Sequence, residues 1–382
     1  MRAFATLILL LYSVILSAQE RVTLLFAGDL MQHRRQIEAA RTPVGDYDYT
    51  PCFARVESLI KSADIAIGNL EVTFGGTPYT GYPCFSAPDS YLQAIKSAGF
   101  DVLLTANNHC LDRRKRGLHR TIALLDSLDM PHAGTYRDSS ERANRYPLLL
   151  RHNDIRIALL AYTYATNGIP VSPPNIVNLI DTALIRHDIA TARAMRPDVI
   201  IACMHWGDEY VSLPNRTQKQ LADWLLAQGV DHIIGTHPHV VQPAEIRTTD
   251  TGRHVIAYSL GNFISDMSAR DTDGGMILSL TLDKDTLSGE TSIADCSYRL
   301  VWTGRPVLTG KENYALYLIG EPGDSLTLTA YKRMAAYTER TRRLLDRYNV
   351  GINENISYKK SHEKIFLKYL QNQRKSLSLH RF

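Results

Sequence analysis

Cysteine is scarce in this chain. The five present, Cys52, Cys84, Cys110, Cys203 and Cys296, are not spaced as a zinc knuckle or a redox pair. That pattern argues against a cysteine-built metal site. Cys52 and Cys84 sit in polar, turn-rich stretches and could bridge in an oxidising compartment, although spacing cannot fix connectivity. Cys203, inside an apolar run, reads as a small buried hydrophobe. An excess of one charge sign is also missing, with 43 Lys and Arg against 39 Asp and Glu. A dedicated nucleic-acid binder would concentrate a basic face, so no nucleic acid is expected as a partner. After residue 18 no segment approaches the length of an apolar membrane span. There is no internal repeat and no low-complexity tract.

The one long apolar run lies at the start. Arg2 precedes an apolar stretch over residues 3–16, and Leu16-Ser17-Ala18 offers small residues before Gln19. This is the pattern of a secretory leader, with an uncleaved anchor as the alternative. No Cys stands at the cleavage point to carry a lipid. The expectation is an exported protein, periplasmic or associated with the cell envelope.

From residue 19 onward the chain keeps a rhythm of apolar strand, polar loop and helix. Strands are predicted over residues 22–27, 64–67, 100–104, 155–162, 198–204, 231–235 and 254–260. Helical spacing falls at 53–60, 91–98, 117–129, 181–195 and 217–228, several closed by Gly or Pro. After Gly274-Gly275 the texture changes to strands without helices, over 276–282 and 291–302, and then to a long charged helix over 326–348. The tail from Lys359 is basic and reads as a packing helix. Alternating strands and helices imply an α/β fold whose site gathers at strand carboxyl ends.

Five polar signatures stand at those ends: Gly28-Asp29, Gly68-Asn69-Leu70-Glu71, Asn107-Asn108-His109 with Asp112, His205-Trp206-Gly207, and Gly235-Thr236-His237-Pro238-His239. They hold the side chains that bind divalent metals. Two imidazoles flanking Pro238 can point into one site, and His205 and Asp29 occupy the same place relative to their own strands. Asn69 and Asn107 read as turn residues, because Asn tolerates left-handed backbone. Asn108 reads as a site residue, and Asp112 as the carboxylate that orients His109. Trp206, Tyr210, Phe263, Tyr79 and Tyr82 serve either as the wall of a groove or as packing. The basic run Arg113-Arg114-Lys115-Arg116 serves either to steer an anion or as a solvated helix start.

These motifs, in order and with Ser259-Leu260-Gly261-Asn262-Phe263, resemble the bacterial capsule-synthesis CapA, or poly-gamma-glutamate biosynthesis, family, itself related to the calcineurin-like metallophosphoesterases. The resemblance spans residues 22–303. It implies a four-layer α/β/β/α sandwich of the metallo-dependent phosphatase type over residues 19–305, followed by a C-terminal helical extension over 306–382. It implies metal ligation by Asp29, Glu71, Asn108, His205, His237 and His239, with His109 as general acid or transition-state donor beside Asp112. One or two ions of manganese, zinc or iron would suit. Two positions depart from the phosphoesterase pattern: Asn69 stands where a bridging aspartate is usual, with Glu71 the nearest carboxylate, and His33 lies four residues after Asp29 rather than two. The resemblance implies two functions. One is metal-dependent hydrolysis of a phosphoester or amide bond in an envelope polymer; the other is a non-catalytic assembly factor that binds the polymer. The implied partners are an anionic envelope polymer or its precursor, and membrane-bound synthesis or export proteins.

Overall fold

A computed structural model of the protein describes residues 19–321 and 326–355. The leader read over residues 1–18 and the basic tail from Lys359 lie outside the described residues. The first part of the chain runs β1 (Gln19–Leu30), α1 (Arg34–Ala40), α2 (Thr50–Phe53), α3 (Glu57–Ile60), β2 (Ile65–Leu70), α4 (Asp89–Ser97), β3 (Val102–Leu104), α5 (Arg114–Ser127) and β4 (His132–Ala133). Next come β5 (Thr135–Tyr136), α6 (Ser139–Arg145), β6 (Leu148–His152), β7 (Ile155–Thr163), β8 (Ile176–Val177), α7 (Thr182–Ala194), β9 (Val199–His205), α8 (Arg216–Ala227) and β10 (His232–Thr236). The last part holds β11 (Ala244–Thr249), β12 (Gly252–Ala257), β13 (Asn262–Ile264), β14 (Gly274–Asp285), β15 (Thr291–Gly304), α9 (Pro306–Thr309), β16 (Ala315–Leu318), α10 (Leu328–Tyr348) and β17 (Asn353–Glu354).

Among the described residues two large sheets form. The first is ordered β16-β15-β14-β1-β2-β3-β4, with β13 beside β1 and β17 beside β15; the second is β11-β12-β10-β9-β7-β6. The alternation of a pleated strand decides how they stack. Val22, Leu24 and Phe26 of β1 share a core with Ile157, Ile201, Ile185 and Leu225 of the second sheet and its helices α7 and α8. Leu25 and Ala27, pointing the other way, pack with Phe53, Tyr91 and Leu92 of α2 and α4. The order of layers is helix, sheet, sheet, helix, as the family resemblance implies. β9 is buried along its whole length, which explains its unbroken apolar run.

Three local expectations change. The helix read over 53–60 divides into α2 and α3, and α2 opens with Pro51. Cys52 and Cys84 are both free, one buried and one exposed, so no bridge joins their loops. The strand read over 254–260 ends at Ala257, and residues 258–261 cross from β12 in the second sheet to β13 in the first. That crossing is a seam between the sheets. Gly261 O accepts from Asp29 N at 3.0 Å, and Leu260 N donates to Gly235 O at 3.0 Å. The seam passes where two glycines leave room. A Cβ on Gly28 would stand 1.9 Å from Gly261 O, and one on Gly235 would stand 2.0 Å from Tyr258 O. Beyond residue 305, α10 forms as its pattern predicts, capped by the Thr327 hydroxyl, while β16 and β17 pair with β15. Among the described residues no helix is long and apolar enough to cross a membrane.

Candidate metal centre

The parallel strands β1, β2 and β3 of one sheet and β9 and β10 of the other bring their carboxyl ends together. Asp29 lies in register with Asn69 on β2 and with Asn262 on β13. In-register neighbours present side chains on one face, about 4.8 Å apart, so three polar groups stand in a row. Asn69 Nδ2 donates to Asp29 Oδ1 at 2.7 Å. Glu71 comes directly after β2, and its backbone N donates to Leu30 O at 3.2 Å. From the opposite sheet, His205 is the last residue of β9, and His237 and His239 lie just beyond β10.

The histidines meet the carboxylates through specific atoms. His239 Nδ1 is 3.1 Å from Asp29 Oδ2 and 3.0 Å from Asn262 Oδ1. Both are acceptors, so Nδ1 carries a hydrogen, and in the neutral ring Nε2 is the nitrogen that keeps its lone pair. That Nε2 stands 3.8 Å from Glu71 Oε1, and His205 Nε2 stands at the same distance from the same oxygen. His205 Nε2 is also 2.8 Å from Asn108 Oδ1, an amide held by its own donation to Asn167 Oδ1. Thr236 Oγ1 lies 3.0 Å from His205 Nδ1. The rings of His205 and His237 are 4.8 Å apart.

Burial sets the charge states. It holds His205 well below the ordinary imidazole range, with His237 and His239 adding to the effect, and it pushes His237 down to about 3. Burial also pulls on His239, but its bond to Asp29 and the charge of that residue outweigh the pull and raise it. Burial and then the charge of Asp29 drive Glu71 well above the carboxylate range. Glu71 is fully buried, yet no N–H group donates to either of its carboxylate oxygens, its side-chain neighbour being the Asp29 carboxylate, and His237 Nδ1 has no partner. A buried polar group without a partner costs about 1–3 kcal/mol. A divalent cation would satisfy them all. Ligand atoms of Glu71, His205 and His237, of Asp29, Glu71 and His239, and of Glu209, His237 and His239 each lie within 4.8 Å of one another. This mixed nitrogen and oxygen donor set fits a divalent transition metal.

His109 stands next to these groups. Its Nδ1 is 2.7 Å from Asp112 Oδ2, which also accepts from Phe85 N at 2.8 Å. Asn107 makes the backbone-binding turn read from its type, accepting from His109 N and donating to Leu70 O. Asn69 does not: it is a strand residue in contact with Asp29 and His205, which corrects its reading as a turn. His33 pairs with Gln36 at the start of α1 and belongs to none of the ligand groups of the centre, although the charges of His239 and His109 reach it. The aromatic residues divide as well. Trp206 and Phe263 are core, and Tyr79 packs on Tyr47. Tyr82 and Tyr210 are exposed, with rings 6.3 Å from those of His109 and His239. Arg114, Lys115 and Arg116 are exposed at the start of α5.

Sequence reasoning missed several neighbours of the centre. Asn262 was visible inside the Ser259–Phe263 motif, but its role depends on β13 lying beside β1. Thr236 was adjacent to His237. Tyr164, with its ring 4.4 Å from that of His237, and Asn167 come from a loop whose sequence carries no metal-site signal.

A family model described as bacterial capsule synthesis protein PGA_cap matches residues 23–267. The capsule biosynthesis protein CapA of Bacillus anthracis is 28% identical over 271 residues, which cover 68% of this chain and 63% of that protein. The PGA biosynthesis protein CapA of Bacillus subtilis is 28% identical over 273 residues, covering 68% of this chain and 67% of that one. The chain therefore spans roughly two thirds of the length of either relative. Among solved structures, the calcineurin-like phosphoesterase YfkN from Bacillus subtilis superposes with a TM-score of 0.44 at 14% identity, over 85% of this chain and 98% of that one.

Proposed function

The chain belongs to the bacterial capsule synthesis protein family, and from that premise we propose that it is an exported, metal-dependent hydrolase of the cell envelope. Its substrate would be a phosphoester or amide bond in an anionic polymer or its precursor, a class suggested by the capsule and PGA biosynthesis named for its relatives. The observation that carries the reading is Glu71: a wholly buried carboxylate, without a donor, 3.8 Å from His205 Nε2 and from His239 Nε2.

Asp29, Glu71 and His239 would hold one divalent cation, and Glu71, His205 and His237 with Asn108 Oδ1 a second. Manganese, zinc and iron all suit these ligands. When bound, such an ion lowers the pKa of a coordinated water and polarises the bond to be broken. The chain's own residues supply the rest. Burial keeps His205 and His237 neutral, so their lone pairs are free to ligate. Asp112 fixes the His109 ring by accepting from Nδ1; in the imidazolium form, Nε2–H is then the proton His109 gives to the leaving group. Arg114, Lys115 and Arg116 would draw an anionic chain toward the mouth, and Tyr82, Tyr164 and Tyr210 would form its rim. Membrane-bound polymer synthesis or export proteins are the proposed partners.

One observation favours the alternative of a polymer-binding assembly factor without catalysis. Asn69 donates its amide to Asp29 Oδ1 at 2.7 Å, where a bridging carboxylate would bind two ions. Metal analysis of the purified protein, with His239→Ala beside it, separates the readings. Hydrolysis requires stoichiometric metal in the wild type and its loss in the variant. A metal-loaded protein that is inactive on a panel of phosphoesters and gamma-glutamyl peptides is a binding factor.

A further inference from the structure

One carboxylate of this centre was not singled out by its motif. Glu209 is exposed, four residues beyond His205, and a carboxylate oxygen of it lies within 4.8 Å of ligand nitrogens of both His237 and His239. Two ligand atoms on one cation, each about 2.0–2.2 Å from it, can stand at most about 4.0–4.4 Å apart. The 4.8 Å within which the Glu209, His237 and His239 ligand atoms lie is close to that span, so small side-chain rotations bring them onto one ion.

The loop that carries Glu209 is tied to the loop that carries the histidines. Tyr210 N donates to Pro238 O at 2.8 Å, and the Tyr210 hydroxyl bonds the Glu209 carboxylate. Tyr210, His237 and His239 all have positive φ, at 66°, 99° and 59°. Such backbone costs of order 1–3 kcal/mol per residue and persists where the surroundings enforce it. His237, 2% exposed, keeps Nδ1 without a partner. The neighbouring Asp208 is engaged elsewhere, accepting from Asn215 Nδ2 at 2.8 Å. Charge points the same way: two dications would face only Asp29 and Glu71 in the buried part of the centre, and a third carboxylate reduces the excess.

We propose that Glu209 is a further metal ligand, which closes the centre on the solvent side together with His237 and His239. The inference rests on the metal-binding reading above. Calorimetric titration of the full chain with Mn²⁺ tests it, using wild type, Glu209→Gln, Glu209→Asp and, as a charge control, Asp208→Asn. Glu209→Gln is expected to weaken Mn²⁺ by at least about tenfold, with Glu209→Asp intermediate and Asp208→Asn within about twofold of wild type. Unfolding midpoints of the metal-free proteins should agree, because Glu209 is exposed. Unchanged Mn²⁺ binding in Glu209→Gln overturns the inference and leaves the metal reading standing. An equal loss in Asp208→Asn overturns it too, by reducing the effect to net charge. A wild type that takes no Mn²⁺ overturns both.

Discussion

The two sheets contribute unlike chemistry to one centre. The first supplies carboxylates and amides, Asp29, Asn69, Glu71 and Asn262, most of them held by strand register. The second supplies imidazoles, His205, His237 and His239, two of them on backbone with positive φ. On the first side the polar atoms largely satisfy one another, as the Asn69 and Asp29 pair does. Where the sides face each other, Glu71 and His237 are left with unpartnered atoms. Oxygen ligands at the strand ends of one sheet and nitrogen ligands at the strand ends of the other therefore converge on a gap that neither sheet fills alone.

The sharpest way to break that pairing is at the seam. Gly28→Ala forces a Cβ against Gly261 O and should cost about 3–5 kcal/mol, as should Gly235→Ala against Tyr258 O. Urea unfolding of metal-free protein reads both. A cost below about 1 kcal/mol in one variant alone would show that only one sheet depends on the crossing. Next is Glu71→Gln, which removes the shared carboxylate. Metal affinity should fall by more than about 100-fold, while metal-free stability should change by less than about 1 kcal/mol, because burial and the charge of Asp29 already hold Glu71 in its neutral form. A variant that loses both stability and metal would mean that Glu71 is structural.

Asn69→Asp sharpens the first side by placing a second carboxylate against Asp29. Like charges at that distance should lower metal-free stability by about 1–2 kcal/mol, and saturating Mn²⁺ should restore it. If Mn²⁺ restores nothing, position 69 does not face the ion. The smallest effect on binding belongs to Asp112→Asn, which touches neither set of ligands. Metal affinity should stay within about twofold, stability should fall by about 1 kcal/mol through the Phe85 bond, and turnover of any phosphoester found active should drop about 100-fold. Unchanged turnover would remove His109 from the chemistry.

Much of this arrangement was legible in the chain. The residues after each apolar run, Asp29, Glu71, Asn108, His205, His237 and His239, are those that converge, because parallel strands end on one edge and deliver their next residues to one place. The roles of the asparagines were not all legible. Asn69 and Asn107 share a residue type and a motif position, yet one is a strand residue facing Asp29 and the other a turn. Register across strands distinguishes them, and register is not a local property. Glu209 and Tyr164 had no pattern of their own, since exposed loop residues carry no periodicity.

The sequence by itself determined the alternation of strands and helices and the residue types gathered at the strand ends. These arise from hydrophobic periodicity and from the chemistry of single side chains. The tertiary structure alone decided that residues 258–261 cross between sheets through the space left by Gly28 and Gly235. It also decided that Asn262 and Asn69 flank Asp29, and that Glu71 lies between His205 and His239. Each of these depends on groups far apart in the chain meeting at ångström distances, which only strand register within the first sheet and the packing of one sheet on the other specify.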